Sequence, residues 1–499
     1  MLTKLNFFRR YFTKNKYVFF DCNDASLALA KDIAKQKQGI VIFLLDPLLV
    51  NNEEVKKIKA IGAHYLAHRM QSSSSINHIL IKRFLRKAKT YLFFMLEHDM
   101  HNIHHIVLFL SMWKRKEFEK VKQHFELVLR VKKMQNYIVD KRMRDANVAY
   151  ILFDDTELIA SEIVKKFPPI DTLEINTQNA TVEDTYEVLI VGYDNTTDAI
   201  LKKLIEATQF VGTHFKATVM VNVEEERLEY LLEDYQELKN HYDIDFVDYE
   251  VDSGDICAWM NLHLDSLKQI IVTTKNEKER MFAVSDLYAG IHIRNRVNVP
   301  IIVVRDNEAT APKQKNVDLL IHYVGNDEEI FTENKVLRLD HLHQAKAIHQ
   351  FYNQLKPFAR RITWEQLSNI KKKSNIAASE SLYAKLKLMG KTIEGIRKMS
   401  EIEFQLFLQE DPDRLRNLAI AEHLRWNATY FTSGWKTWHL SEIPKDSLHQ
   451  NEYRNLHACL VDWNTLKDVE KHFDTPFQIY DYNNILTIRM LMLNSALSS

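Results

Sequence analysis

The chain has 499 residues, 46% of them hydrophobic, and its 67 basic and 67 acidic side chains cancel to a formal net charge of zero. That length and composition give a folded protein with room for roughly three domains of about 150 residues each. Charge balance excludes a non-specific nucleic-acid binder, which carries a basic excess, so no nucleic-acid partner is expected.

Residues 1–15, within "MLTKLNFFRRYFTKNK", read as a solvated lead-in: basic and aromatic, with neither an apolar h-region nor a small-residue cleavage site. Resting on a membrane surface or a partner is the alternative use of such a stretch. No run approaches the roughly 20 apolar residues of a bilayer span. The best, "IVIFLLDPLLV" and "IVLFLSMW", are short, and Asp46 and Pro47 break the first.

From 16 to 168, short β-branched and aromatic runs alternate with helical stretches. "YVFF" leads into "DASLALAKDIAKQ", then "IVIFLL" into a helix over 53–60. "TYLFFML" leads into a helix from Asp99, "FELVLRV" into another, and "VAYILF" into "DTELIASEIVKKF". In the Asp99 helix, Met100, Ile103, Ile106, Val107 and Leu110 share a face and predict one buried stripe. Such alternation implies a parallel sheet covered on both faces. Residues 169–185, polar and proline-bearing, read as a linker.

The pattern restarts over 186–325 with strands at "EVLIVGY", "KATVMVNV", "DIDFVDYEV", "LKQIIVTT", "VPIIVVRD" and "DLLIHYVG". Between them, "TDAILKKLIEAT" and "EEERLEYLLEDYQELKN" read as helices, the second with an exposed acidic face. The fold class is therefore α/β, two tandem doubly wound, Rossmann-like domains, followed by a mainly helical domain over 340–499.

Doubly wound sheets bind ligands at the carboxyl ends of their strands, and phosphate recognition there uses a G-x-G-x-x-G turn. The first turn here is "FFDCNDASLA", without glycine, and the second is "IVGYDNTTDAI", with Gly192 alone. The whole chain has 10 glycines, against about 35 at the usual 7%. A tight dinucleotide clamp is not expected in either copy, and Asp21 and Asp194 would point negative charge at a phosphate.

Gly254-Asp255 before the fourth strand of the second copy, and Asp99 with Asn102 after that of the first, resemble domains that regulate potassium conductance. These are the nucleotide-binding modules of bacterial potassium transporters and gating rings. The resemblance implies weak cofactor-binding positions at Asp46, where the family holds a ribose, and at Gly192, Gly254 and Asp255. Asn222 stands where the second copy would carry the ribose acid. It also implies a homodimer or higher oligomer and a membrane channel as possible partner.

His98, His101 and His105 fall on one helical face, but with no carboxylate or cysteine to complete a set they read as a solvated face, and no metal is expected. Cys22, Cys257 and Cys459 stand far apart without CxxC spacing, which excludes a disulfide framework and points to a reducing, cytoplasmic setting.

From about 340 the chain turns helical and gains Trp364, Trp426, Trp435, Trp438 and Trp463. "QAKAIHQFYNQ", "WEQL", "SNIAASESLYAKLKLMG", "LAIAEHLRWNATYFTSGW", "LHACLVDWNTL" and "YDYNNI" follow in order. Together, over 341–494, they resemble the bacterial ryanodine-receptor repeat. Ala458 and Asp462 stand where that family carries proline.

The blocks read as a ligand site. His423 and Trp426 share a helical face, as do Glu422 and Arg425, and Gly434 allows a turn before Trp435. An indole face stacks on a purine for about 1–3 kcal/mol. Arg425 suits a phosphate or carboxylate, His457 a phosphate or ribose, and Ser374 and Asn375, at the start of a helical run, an anion. The plainer alternative makes the tryptophans core, Glu422–Arg425 a surface pair, and Ser374 or Asn375 an ordinary cap. No G-x-S-x-G, H-E-x-x-H or Walker loop occurs, so the expectation is a non-catalytic protein.

The sequence thus points to a cytoplasmic ligand-sensing regulator that binds a nucleotide or nucleotide-derived small molecule and controls a potassium channel or a bacterial defence response. A detached gating-ring scaffold and a nucleotide-modifying enzyme are the alternatives.

Overall fold

The computed structural model describes residues 15–494 apart from 38, 47, 49, 68–88, 114–121, 132–135, 223–231, 233–234, 252, 294–298, 305–320 and 445–446. The lead-in and most of the acidic helix expected after the second strand of the second copy lie outside the described residues. The chain divides into two compact units: Met1–Leu158 with Asn326–Asp340 and Glu365–Asn369, and Ile159–Gly325 with His341–Trp364 and Ile370–Ser499.

The first unit holds a parallel sheet of β1 (Asn15–Phe19), β2 (Gly39–Leu45), β3 (His64–Ala67), β4 (Thr90–Phe94), β5 (Phe125–Arg130) and β6 (Ala149–Phe153) in the order β3-β2-β1-β4-β5-β6. Because side chains alternate across a strand, β1, β2 and β4 place Tyr17, Phe19, Phe43, Tyr91 and Phe93 on one face. Phe19 stacks on Phe43 and Phe93 with centroids 5.0 and 4.5 Å away, and Tyr17 on Tyr91 at 5.1 Å. Val18, Ile42 and Leu92 lie in one core cluster on the other side. Short helices Asp327–Ile330 and Glu333–Val336 pack on helix Asp24–Gln36, and the Tyr17 hydroxyl donates to Glu333.

Strand β3 escaped the sequence reading because "HYLA" is an edge strand whose side chains are exposed or half-buried. The stripe expected on helix Asp99–Trp113 is corrected. Ile103 and Ile106 do pack on the core as expected, but Met100 is 64% and Val107 38% exposed, and Asn102 and Phe109 face inward in their place. Asn102 sets this rotation: its amide accepts from Leu96 N at 3.0 Å and donates to the Leu96 and Arg130 carbonyls at 2.8 and 2.9 Å. The side chain of Leu110 lies outside the described residues.

The second unit repeats the sheet. Small strands β7 (Ile175–Asn176) and β8 (Thr181–Val182) form a hairpin, and β9 (Thr185–Val191), β10 (His214–Asn222), β11 (Asp243–Tyr249), β12 (Leu267–Val272), β13 (Ile301–Val304) and β14 (Ile321–Val324) run in the order β11-β10-β9-β12-β13-β14, all parallel. The six strands read from the sequence are all there.

The helical C-terminal part belongs to this second unit rather than standing alone. The expected linker over 169–185 is corrected too. Ile170, Leu173, Ala180 and Val182 are buried in the main core cluster, and their apolar side chains fold an otherwise polar segment. Its polar groups hold the helices. Asp171 accepts from the Tyr383 hydroxyl and pairs with Lys387, both at 2.9 Å. Arg414 and Asn417 donate to the Gln178 and Asn179 carbonyls at 2.8 and 3.0 Å. Helix Asn195–Ala207 adds Lys203–Glu380 at 2.5 Å and a 2.6 Å bond from Thr432 to Glu206.

Candidate functional site

The carboxyl ends of the strands beside β1 and β9, where strand order reverses, are the first places to seek a ligand. In the first unit, Asn23 caps helix Asp24–Gln36 in a reciprocal box with Ser26, which engages the amide a phosphate would take. Asp21 is 6% exposed. It accepts from Met95 N at 2.7 Å through one oxygen, and its other oxygen has no hydrogen-bond partner. Burial pushes its pKa up to about 7, against the opposing bond from Met95 and the nearby Arg130 charge. Arg130 pairs with Asp155. Asp46 follows β2 as expected, and its carboxylate caps the turn by accepting from Leu48 N at 3.0 Å.

In the second unit Asp194 caps helix Asn195–Ala207, accepting from Thr196 and Thr197 N at 2.8 and 3.0 Å. A carboxylate thus sits where a dinucleotide phosphate would. Gly192 has φ +99°, and a Cβ there would lie 2.7 Å from Thr274 N and 2.9 Å from its methyl carbon. Its lack of a side chain serves approach by the protein's own β12 end, not by a ligand. Gly192→Ala is expected to destabilise the second unit by about 1–3 kcal/mol, read as a lower urea midpoint; an unchanged midpoint would refute this packing. Gly254, at φ +82°, precedes helix Asp255–His263, and Asp255 accepts from Glu250 N at 3.0 Å.

In the helical part, "AEHLRW" lies inside helix Pro412–Phe431. Glu422 is 1% exposed, and its oxygens receive Arg425 Nε and Nη2 at 2.9 and 2.7 Å, Lys385 Nζ at 2.7 Å and Asn484 at 3.1 Å. Burial pushes the Glu422 carboxyl up, but Arg425 and Lys385 outweigh it and hold the pKa near about 2. Arg425 Nη1 also reaches Thr429 at 3.1 Å and the Ser374 carbonyl at 3.5 Å. The pair expected at the surface or on a ligand is a buried ion cluster with its donors engaged.

The anion end assigned to Ser374 and Asn375 is corrected. The helix begins at Asn369, so these residues sit in its interior, where their amides serve the helix; Asn375 bonds the Lys371 carbonyl at 2.7 Å. His423 bonds the Val461 carbonyl at 2.9 Å and faces Asp481 at 3.3 Å. Burial opposes its protonation, but Asp481 and the carbonyl prevail and raise its pKa.

Trp426, Trp435 and His457 do come together. Trp426 lies 5.0 Å from His457 and 4.5 Å from Tyr430, and Trp435 lies 5.1 Å from Tyr430 and 6.3 Å from His457. Trp435 is buried and serves as core, whereas Trp426 is half-buried. The His457 ring accepts from Cys459 N at 3.1 Å, and burial, with His449 and Lys371 beside it, keeps it neutral.

Five residues the sequence reading passed over complete this face. Half-buried Tyr352 and Tyr480 have centroids 4.4 Å apart, and Tyr480 packs on the same cluster as Trp426. Lys356 lies 4.3 Å above the Tyr352 ring, and burial and the Lys371 charge pull it down to about 8. Lys371 pairs with Glu452 at 2.8 Å. His449, 5.1 Å from His457, falls to about 4 through burial and the same two lysines. The placement of Tyr352 and Lys356 four residues apart in "FYNQLK" and the lysine run in "IKKKSN" carried the signal.

Among the described residues no group of three or more His, Cys, Asp or Glu is set to hold a metal ion. No described helix is long and apolar enough to cross a membrane.

Fold and site together define a chain of two six-stranded parallel α/β sheets with a helical C-terminal part that bears an aromatic and cationic face. No protein-family model and no curated protein matches the chain. A solved structure of the binary complex of leucoanthocyanidin reductase with NADPH, from Vitis vinifera, is similar at 10% identity and a TM-score of 0.23, covering 65% of this chain and 99% of that one. The expectation of a non-catalytic protein finds no support in this match, which is to a reductase. Whether the chain is an enzyme is an open question, because a likeness at that score carries no argument for reductase activity.

Proposed function

We propose that the chain is a ligand-sensing regulatory protein whose helical part, a ryanodine-receptor-type module, binds a nucleotide or nucleotide-derived small molecule. The two sheets form its potassium-regulator-like platform, assembled as a homodimer or higher oligomer in the cytoplasm. A potassium channel or transporter, or a bacterial defence response, is the output.

One observation carries the reading. Half-buried Tyr352 and Tyr480 pack ring against ring beneath Lys356, Tyr480 packs on the same core cluster as half-buried Trp426, and burial, with the Lys371 charge, depresses Lys356. Rings offer a flat contact worth about 1–3 kcal/mol per base, and the Lys356 ammonium, beside a Lys371 that Glu452 pairs with, favours an anion. Binding shifts the protein between states by no more than the ligand's differential affinity for them.

Native mass spectrometry of the freshly purified protein tests this. A co-purifying small molecule with nucleobase absorbance is expected, and it is lost in Lys356→Gln/Lys371→Gln. A bare mass, together with no binding from a panel of mono-, di- and cyclic nucleotides by calorimetry, would rule the proposal out.

A further inference from the structure

Residues first expected to hold an anion are engaged elsewhere: Arg425 with Glu422, and the Ser374 and Asn375 amides within a helix. Positive charge gathers instead at the start of that same helix, Asn369–Glu380, and at Lys356. We propose that this end takes a phosphate group carrying two negative charges, held between Lys356 and Lys371, an inference that rests on the nucleotide reading above.

Three features converge. Lys371, Lys372 and Lys373 fall in the first turns of the twelve-residue helix Asn369–Glu380, which has no acidic residue in its first turn. Cations are disfavoured at that positive dipole end and anions favoured. Lys371 shares one carboxylate, Glu452, at 2.8 Å, and Lys373 lies 3.9 Å from Glu206. Lys356 rests on the Tyr352 ring, which packs at a tilt against Tyr480, so its ammonium is held over a π face.

The charged and titratable groups facing Lys356 and its surroundings are Lys371, Glu452, His449 and Arg360, with the Tyr352 and Tyr480 hydroxyls. With His449 neutral, the cations are Lys356, Lys371 and Arg360; against them stand Glu452 and, near Tyr352, Asp481, itself paired with His423, which leaves a positive balance at the lysines. A monoanion would balance part of it. A phosphate dianion balances more and has oxygens enough to meet two ammonium groups at once.

A proton follows the phosphate. Lys356, held at about 8 by burial and Lys371, is partly neutral at pH 8. A dianion beside it restores the charged form, so binding at pH 8 takes up on the order of half a proton.

The test is calorimetry on the full chain at pH 8, in two buffers of different ionisation enthalpy, with AMP, adenosine and inorganic pyrophosphate as titrants. AMP is expected to bind at least tenfold tighter than adenosine, with heats that differ between buffers in the sense of proton uptake. Lys356→Gln should lower AMP affinity at least tenfold. Lys356→Arg, charged at every accessible pH, should still bind AMP but without proton uptake. Equal affinity for AMP and adenosine, or an AMP affinity unchanged in Lys356→Gln, overturns the phosphate assignment while the nucleotide reading stands. No binding by any of the three titrants overturns both.

Discussion

Glu422→Ala is expected to destabilise the second unit by about 3–5 kcal/mol, the cost of stranding buried charges without their partner. Lys385 and Arg425 are 5% and 4% exposed, and both point at the lost carboxylate. Urea unfolding followed by tryptophan fluorescence reads the change. Glu394→Ala, which breaks the exposed pair with Lys398, is the control and should leave the midpoint in place. The pH dependence has a definite sign. A carboxyl depressed from its ordinary 4.5 to about 2 contributes stability above pH 4.5 and loses it as pH falls through about 2. A Glu422→Ala midpoint equal to that of the control would return this cluster to the surface pair first entertained.

Asp21→Asn is expected to act in the opposite direction, stabilising the first unit at pH 8. Burial raises the folded carboxyl from 3.8 to about 7, so the charged form is disfavoured in the fold. Stability therefore falls as pH rises from about 3.8 to about 7 and stays low beyond. The penalty at pH 8 is on the order of 4 kcal/mol. Asparagine keeps an acceptor for Met95 N and carries no charge. Native-state hydrogen exchange of β1 and β4 amides at pH 8 and pH 4 should show slower opening in the variant at pH 8 only. Equal protection at both pH values would mean that Asp21 is neither desolvated nor strained.

The strands were legible because aromatic and β-branched runs such as "YVFF" and "EVLIVGY" declare themselves without context. Strand β3 was not, since "HYLA" at a sheet edge buries too little to leave a pattern. The rotation of helix Asp99–Trp113 was misread for a related reason. Periodicity finds an apolar face, but the Leu96 and Arg130 carbonyls needed a polar partner, and Asn102 turned inward to meet them. At the candidate site, Trp426 and His457 were expected because they lie in the blocks that resemble the ryanodine-receptor repeat. Tyr352, Lys356, His449 and Tyr480 were not, because they lie far from "AEHLRW" along the chain and are linked to it only in space, Tyr480 through the cluster it shares with Trp426, Tyr352 and Lys356 through Tyr480, and His449 through His457.

What the sequence by itself determined is the repeated parallel α/β architecture and the helical character of the last third. Both follow from local periodicity and propensity. It also settled that neither first turn carries the glycines of a dinucleotide clamp, and the structure adds that Asn23 and Asp194 cap the helices there. Only the tertiary structure decided what the charged residues do. Arg425 and Glu422 have the same chemistry buried or exposed; whether that chemistry meets a ligand or each other depends on which side chains the fold brings within 3 Å, such as Lys385 at 2.7 Å from Glu422. Spacing along one helix does not encode that distance, because the partner arrives from another.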